Sequence, residues 1–223
     1  MVKTVSIKEV YKRWAQRYEN DLPYLFESES EKVIPLLGNV KGKKVLDLGC
    51  GTGRYSVALA KKGAIVTAVD FSKEMIAVAR KKAKQSKVKI DFRNIDLKKG
   101  FPEGDYDIIL SMLVLGHFKK TALLFSKISK AIKPNGICII STFHPHKEGG
   151  KLILVQSLGL DARKYRQTKE EYISAINNAG LLFEKFLEIK FSKKAILHAK
   201  NDGINIEQYS HKPFLMVFKA RKK

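Results

Sequence analysis

The stretch Leu46-Asp47-Leu48-Gly49-Cys50-Gly51-Thr52-Gly53 limits the fold more than any other part of the chain. A short apolar run ending in three alternate glycines reads as a strand that stops at a tight turn. There the backbone can take left-handed conformations and approach another molecule closely. Arg54 to Lys62 then reads as a helix closed by Gly63, so the turn opens onto a helix N-terminus. The alternation continues to about Thr142. Ile65 to Val69 is a β-branched run suited to a buried strand, and Ser72 with Glu74 in the first turn starts a helix reaching about Lys84. Strands are expected at Val88 to Phe92, Tyr106 to Ser111 and Ile137 to Ile140, with a helix from Leu123 to Ile132 and a turn at Lys133-Pro134-Asn135-Gly136. Such alternation predicts an α/β fold with a parallel sheet and helices on both faces.

The two ends differ from this core. Val10, Tyr11, Trp14 and Tyr18 recur at helical spacing, so residues 6–19 should form an amphipathic helix ahead of the sheet. Thr168-Lys169-Glu170-Glu171 matches a capping box, opening a helix that Gly180 closes, and Phe183 to Ile189 and Pro213 to Lys219 are strand-like. Phe143 to Gln167 and Phe191 to Lys212 are long polar connections, the kind that serve as lids. A single domain is expected: a helical lid over 1–40, a ligand-binding core over 41–142 and an acceptor-side half over 143–223.

The glycine spacing narrows the ligand. A dinucleotide fingerprint G-x-G-x-x-G requires glycine at 54, where the chain has Arg54, and the Gly-Lys-Ser/Thr of a P-loop is absent. Asp47 precedes the loop, where a pyrophosphate would gain nothing from negative charge and a cationic ligand would. Asp70 ends the second strand 21 residues beyond Gly49, the place from which a carboxylate accepts hydrogen bonds from ribose hydroxyls.

Asp47-x-Gly49-x-Gly51-Thr52-Gly53 followed by Asp70-Phe71-Ser72 resembles the first two motifs of class I S-adenosylmethionine-dependent methyltransferases, and the likeness runs from about Tyr11 to Ile140. It implies a Rossmann-like, seven-stranded, mostly parallel sheet with its last strand antiparallel, and S-adenosylmethionine as cofactor. It further implies that Gly49, Cys50, Gly51 and Gly53 form the loop at the methionine moiety, with Asp47 orienting the amino group. Asp70 would hold the ribose, Phe71 and Met75 would pack on the adenine, and Ile95 with Asp96 would meet its edge. Ser111 and Met112 would pass beneath the methionine, and Tyr18 would close over the cofactor.

Methyl transfer from a sulfonium is an in-line displacement in which alignment and a dry pocket are the protein's main contribution. A general base is needed only where the acceptor must lose a proton. His117 and His144 follow the fourth and fifth strands, where ligands of open α/β sheets bind, and are the candidate acceptor-side catalytic residues; His146 stands beside His144. With no Cys or acidic cluster nearby, a metal is not expected. Tyr165-Arg166 is a further acceptor-pocket candidate. The fourth strand runs into Ser111-Met112-Leu113-Val114 instead of an Asn/Asp-Pro-Pro-Tyr clamp for planar nitrogens, which favours a small-molecule acceptor.

Charge is the competing signal. Lys and Arg number 43 against 22 Asp and Glu, giving +21, a field that attracts nucleic acid. Only eight of the 43 are Arg, and the lysines are spread along the chain, as on a solvated surface. An RNA acceptor is therefore the alternative, followed by a nucleotide-dependent oxidoreductase and a non-catalytic cofactor-binding protein. No apolar run approaches the roughly 20 residues of a membrane span, so no membrane partner is expected. The start lacks a signal peptide's apolar core and two cysteines make no disulfide framework, which fits a cytoplasmic protein.

Overall fold

A computed structural model describes residues 3–145, 160–161 and 165–223, so His146 lies outside the described residues. In chain order the elements are β1 (Lys3–Thr4), α1 (Ile7–Trp14), α2 (Pro23–Leu37), β2 (Lys44–Leu48), α3 (Arg54–Lys61), β3 (Ile65–Asp70), α4 (Lys73–Gln85), β4 (Asp91–Asn94), β5 (Tyr106–Met112), α5 (Ala122–Ala131) and β6 (Ile132–Phe143). They continue with β7 (Leu160–Asp161), α6 (Lys169–Asn178), β8 (Leu181–Ile189), α7 (Lys193–Asn201) and β9 (Leu215–Lys222). Seven strands form one sheet in the order β4-β3-β2-β5-β6-β9-β8. Neighbours from β4 to β6 are parallel, and β9 runs antiparallel to both β6 and β8. This is the Rossmann-like α/β sheet that the motifs imply.

Period-two alternation explains why both faces are covered. Val45, Ile108, Leu110, Ile139 and Val217 point into the core beneath α1 to α4. Leu46, Leu48, Ile109, Cys138, Ile140 and Phe218 point the other way, onto α5 and α6 through Phe125, Ile128, Tyr172 and Ile176. A sheet buried on both sides needs such continuous apolar strands, and each large side chain so buried contributes about 1.5–3 kcal/mol. Caps set the helix starts. Ser72 Oγ accepts from Met75 N at 3.2 Å to open α4, and Thr168 and Glu171 form the expected reciprocal box at the start of α6.

Several boundaries depart from the sequence reading. Helix α1 ends at Trp14, four residues short of Tyr18, because Asp21 folds back to accept from Trp14 Nε1 at 2.8 Å and turns the chain. Strand β4 begins at Asp91, since Val88 and Ile90 pack on the core without pairing. Residues 133–136 loop out inside β6: Tyr106 pairs with Ile132 but Ile108 with Ile137, and Asn135 takes φ +62°. The connection 191–212 is largely helical. Its α7 packs Ala195 and Ala199 against Tyr24 of α2, and Ser192 N donates to Ser28 Oγ at 3.0 Å. Among the described residues no helix is long and apolar enough to cross a membrane.

Candidate cofactor site

A pocket opens at the carboxyl ends of β4, β3, β2 and β5, four neighbouring strands of the sheet. The loop after β2 contributes Gly49 and Gly51, the end of β3 contributes Asp70 and Phe71, and α4 adds Met75. Ile95 to Lys98 follow β4, and Met112, Leu113, Val114, His117 and Phe118 close or follow β5. Ile7, Lys8 and Tyr11 of α1 and Tyr18 of the next turn cover it.

The glycines are required for different reasons. Gly49 has φ +68°, and a Cβ there would lie 2.4 Å from Val114 Cγ2. Gly51 has φ +54°, and its Cβ would project into open pocket, with the Tyr18 ring 4.0 Å away as nearest neighbour. That space is a cradle for a ligand. Gly53 is remote from the cavity: a Cβ there would sit 2.9 Å from that of Ala79, so it brings α3 against α4.

Asp70 is buried, and its two oxygens accept from Gly51 N at 2.9 Å and Ser72 N at 2.8 Å, fixing the carboxylate at the pocket wall. Burial raises its pKa and those backbone donors oppose the rise. The carboxylate, whose two oxygens can accept about four hydrogen bonds, retains accepting capacity for a hydroxyl donor of a ligand. Asp47 does not line the cavity. It lies under the glycine loop, where Oδ2 accepts from Ser56 Oγ at 2.5 Å, and burial, opposed by Ser56 and Arg54, pushes its pKa up to about 6. Asp96 faces the pocket, caps Lys98 N at 3.1 Å and stands 3.7 Å from Lys8 Nζ.

Aromatic side chains form the cover. Tyr11 packs edge-on against Phe71 at 5.7 Å and His117 at 5.5 Å, and Tyr18 packs against Trp14 at 4.8 Å. The Tyr11 hydroxyl is 3.0 Å from His117 Nε2. Burial above all, then Tyr18 and Asp70, hold the Tyr11 phenol protonated at neutral pH. Glu19 ties the turn after α1 to the loop and to α4, accepting from Thr52 Oγ1 and pairing with Lys82.

Of the residues singled out from sequence, Tyr18, Gly49, Gly51, Asp70, Phe71, Met75, Ile95, Asp96, Met112 and His117 meet at this cavity. Asp47, Cys50, Gly53, Ser111 and His144 do not line it. Ser111 is fully buried, and its Oγ has no hydrogen-bond partner among the described residues. His144 is drawn away because its N donates to Phe214 O at 2.9 Å, extending the β6–β9 pairing, while Nε2 lies 3.0 Å from Glu188. Tyr165 does not line the cavity, but its N donates to Gly116 O at 2.8 Å and so braces the turn that carries His117. Leu113, within the apolar run Met112 to Leu115, lies on the pocket wall with the left-handed φ of +62°. Nothing in the motif Ser111-Met112-Leu113 announces that backbone.

Fold and pocket together define a Rossmann-like protein built to hold a nucleoside at its strand ends. A family model described as a methyltransferase domain matches residues 39–202, and the chain belongs to that family. Among relatives, the ubiquinone biosynthesis O-methyltransferase of Pasteurella multocida is 33% identical over 125 residues, covering 51% of this chain and 52% of that one. The enzyme of the same name from Coxiella burnetii is 40% identical over 106 residues, covering 47% and 45%. The chain thus spans about half the length of the relatives it matches. The solved S-adenosylmethionine-dependent methyltransferase of Mesorhizobium loti superposes with TM-score 0.72 at 24% identity, covering 87% of this chain and 98% of that one. The Synechocystis magnesium protoporphyrin IX methyltransferase with bound S-adenosylhomocysteine gives 0.71 at 21%, covering 96% and 94%.

Proposed function

We propose that this chain transfers a methyl group from S-adenosylmethionine to a small-molecule acceptor by in-line displacement, as a cytoplasmic enzyme. The observation that carries the reading is the single cavity wall formed by Gly51, Asp70 and Asp96, each at the end of a different adjacent strand. Strands lie about 4.8 Å apart, so this row suits an elongated nucleoside lying across the sheet. The residues fit the cofactor: Asp96 and Ile95 at the adenine end with Phe71 and Met75, Asp70 at the ribose, and Gly49, Gly51, Tyr18 and Met112 at the amino-acid end. When bound, the cofactor supplies an electrophilic methyl group on a sulfonium sulfur.

The protein's own contribution is alignment, exclusion of water and one acid–base pair. Tyr11 and Tyr18 cover the pocket, backed by the rings of Trp14 and Phe26, and this apolar cover favours a dry interior. Tyr11 and His117 stand at its acceptor side. With the phenol donating to Nε2, the pair is poised to exchange that hydrogen bond for one with an acceptor, whose proton His117 would take. His144 lies outside the cavity wall, so His117 is the stronger base candidate. Small-molecule acceptors are supported by the names of the ubiquinone and protoporphyrin enzymes and by the apolar side chains of Met112, Leu113 and Val114. Cytoplasmic residence is supported by two unpaired buried cysteines, Cys50 and Cys138.

Calorimetric titration with S-adenosylhomocysteine tests the cofactor half. Asp70→Ala should cost ~1.5–3 kcal/mol of binding, the scale for losing hydrogen bonds to a charged acceptor. Equal affinity in wild type and folded variant would remove Asp70 from the site.

A further inference from the structure

Glu29 stands in the middle of α2 and is fully buried. A buried carboxylate persists only when paired and hydrogen-bonded, and both of its oxygens are in use. Oε2 accepts from Arg54 Nη2, with the Tyr55 hydroxyl at 3.5 Å. Oε1 accepts from Ser141 Oγ at 2.5 Å. The two sides reach the same region of the pocket by different routes. Arg54 is the first residue of α3, directly after the glycine loop, and its guanidinium lies 4.3 Å from the ring centres of both Phe26 and Tyr55. Phe26 in turn packs at 5.3 Å on Tyr18, the ring nearest the open space above Gly51. On the other side, the buried Ser141 takes Leu113 N at both its backbone oxygen, 3.0 Å, and its Oγ, 3.1 Å. Those bonds hold Leu113 in its left-handed conformation on the cavity wall, one that residues with a Cβ rarely adopt.

Tyr18 and Leu113 flank the ends of β2 and β5, whereas Phe71, Ile95 and Asp96 follow β3 and β4 at the opposite end of the cavity. We propose that Glu29 is a positioning residue for the amino-acid end of the cofactor pocket: one oxygen fixes the Arg54–Phe26–Tyr18 stack, and the other fixes the Leu113 turn through Ser141. This rests on the S-adenosylmethionine reading and adds to it a residue from the N-terminal region that touches no part of the cavity.

The test compares two ligands. S-Adenosylhomocysteine carries the amino-acid portion and 5′-methylthioadenosine lacks it, and each is titrated calorimetrically into wild type, Glu29→Gln, Ser141→Ala and the double variant. Glu29→Gln should weaken S-adenosylhomocysteine about tenfold and Ser141→Ala about three- to fivefold. Binding of 5′-methylthioadenosine should change less than about twofold in either, and the double variant should be no weaker than Glu29→Gln by more than about twofold. A merely structural role would weaken both ligands by the same factor. That result, or unchanged S-adenosylhomocysteine affinity, overturns the proposal. Ser141→Ala leaves the ion pair intact, so it decides the matter by the same criterion if Glu29→Gln does not fold. Wild type that binds neither ligand overturns the cofactor reading itself, an outcome separate from equal losses in the variants.

Discussion

Asp47 and Asp70 are two buried carboxylates beneath one glycine loop, and both are more reluctant to ionise than exposed ones, chiefly because burial disfavours the charge. For Asp47 the folded pKa is about 6 against an ordinary 3.8. The folded state then binds more protons than the unfolded chain between those values, so its contribution to stability falls as pH rises from about 4 to 6. The full penalty above pH 6 is about 2–3 kcal/mol. Asp47→Asn keeps an acceptor for Ser56 and removes the charge, so without ligand it should melt higher than wild type at pH 7. That advantage should disappear near pH 4. Thermal melts across that range check the sign, and a variant less stable at pH 7 than wild type contradicts the assignment. At Gly51 the backbone is left-handed and the missing Cβ faces the cavity, so Gly51→Val should weaken S-adenosylhomocysteine more than Asp70→Ala does, with calorimetry as the measure.

The elements most legible in the sequence are those governed by local rules. Alternation in β2, β3 and β5, the Ser72 cap, the Thr168–Glu171 box and the glycine turn each involve residues a few positions apart. What escaped reading depends on distant partners. Glu29 sits in Pro23–Leu37 among other acidic residues and looks solvated, yet its partners Arg54 and Ser141 are 25 and 112 positions away. Tyr11 belongs by its spacing to an apolar helix face, but its partner His117 is 106 positions distant. His144 follows the expected strand, and pairing of β6 with β9 carries it beyond the cavity. Of the three segments expected as a lid, most of 143–167 lies outside the described residues, and the other two differ. Helix α1 covers the pocket, while α7 rests on α2 and contributes no lining residue. Saturating S-adenosylhomocysteine should therefore slow amide hydrogen exchange in α1 and the Trp14–Leu22 turn and leave α7 unchanged. Exchange in α1 that is indifferent to ligand would detach Tyr11 and Tyr18 from the site. Thr168→Ala, outside the cavity lining, should cost about 1 kcal/mol in denaturant unfolding through loss of its cap and leave cofactor binding intact.

At the scale of the molecule, the +21 charge and the cavity point to different acceptors. The charge is mostly lysine and distributed, which supports loose attraction to polyanions more than a defined track. RNA retention should then fall steeply between low and moderate salt, as counterion release requires. The cavity, covered by Tyr11 and Tyr18 and lined by Met112 to Val114, supports the proposal of a compact and partly apolar acceptor. Replacing His117 by Ala should slow transfer at least about tenfold while S-adenosylhomocysteine affinity changes much less, if the Tyr11–His117 pair serves the acceptor. The most direct measurement supplies methyl-labelled S-adenosylmethionine, a low-molecular-weight metabolite fraction and total RNA together at physiological salt, and reads where the label goes. The account predicts label in the low-molecular-weight fraction, dependent on Asp70, with RNA at background; label on one defined RNA nucleotide and none on any small molecule would contradict it.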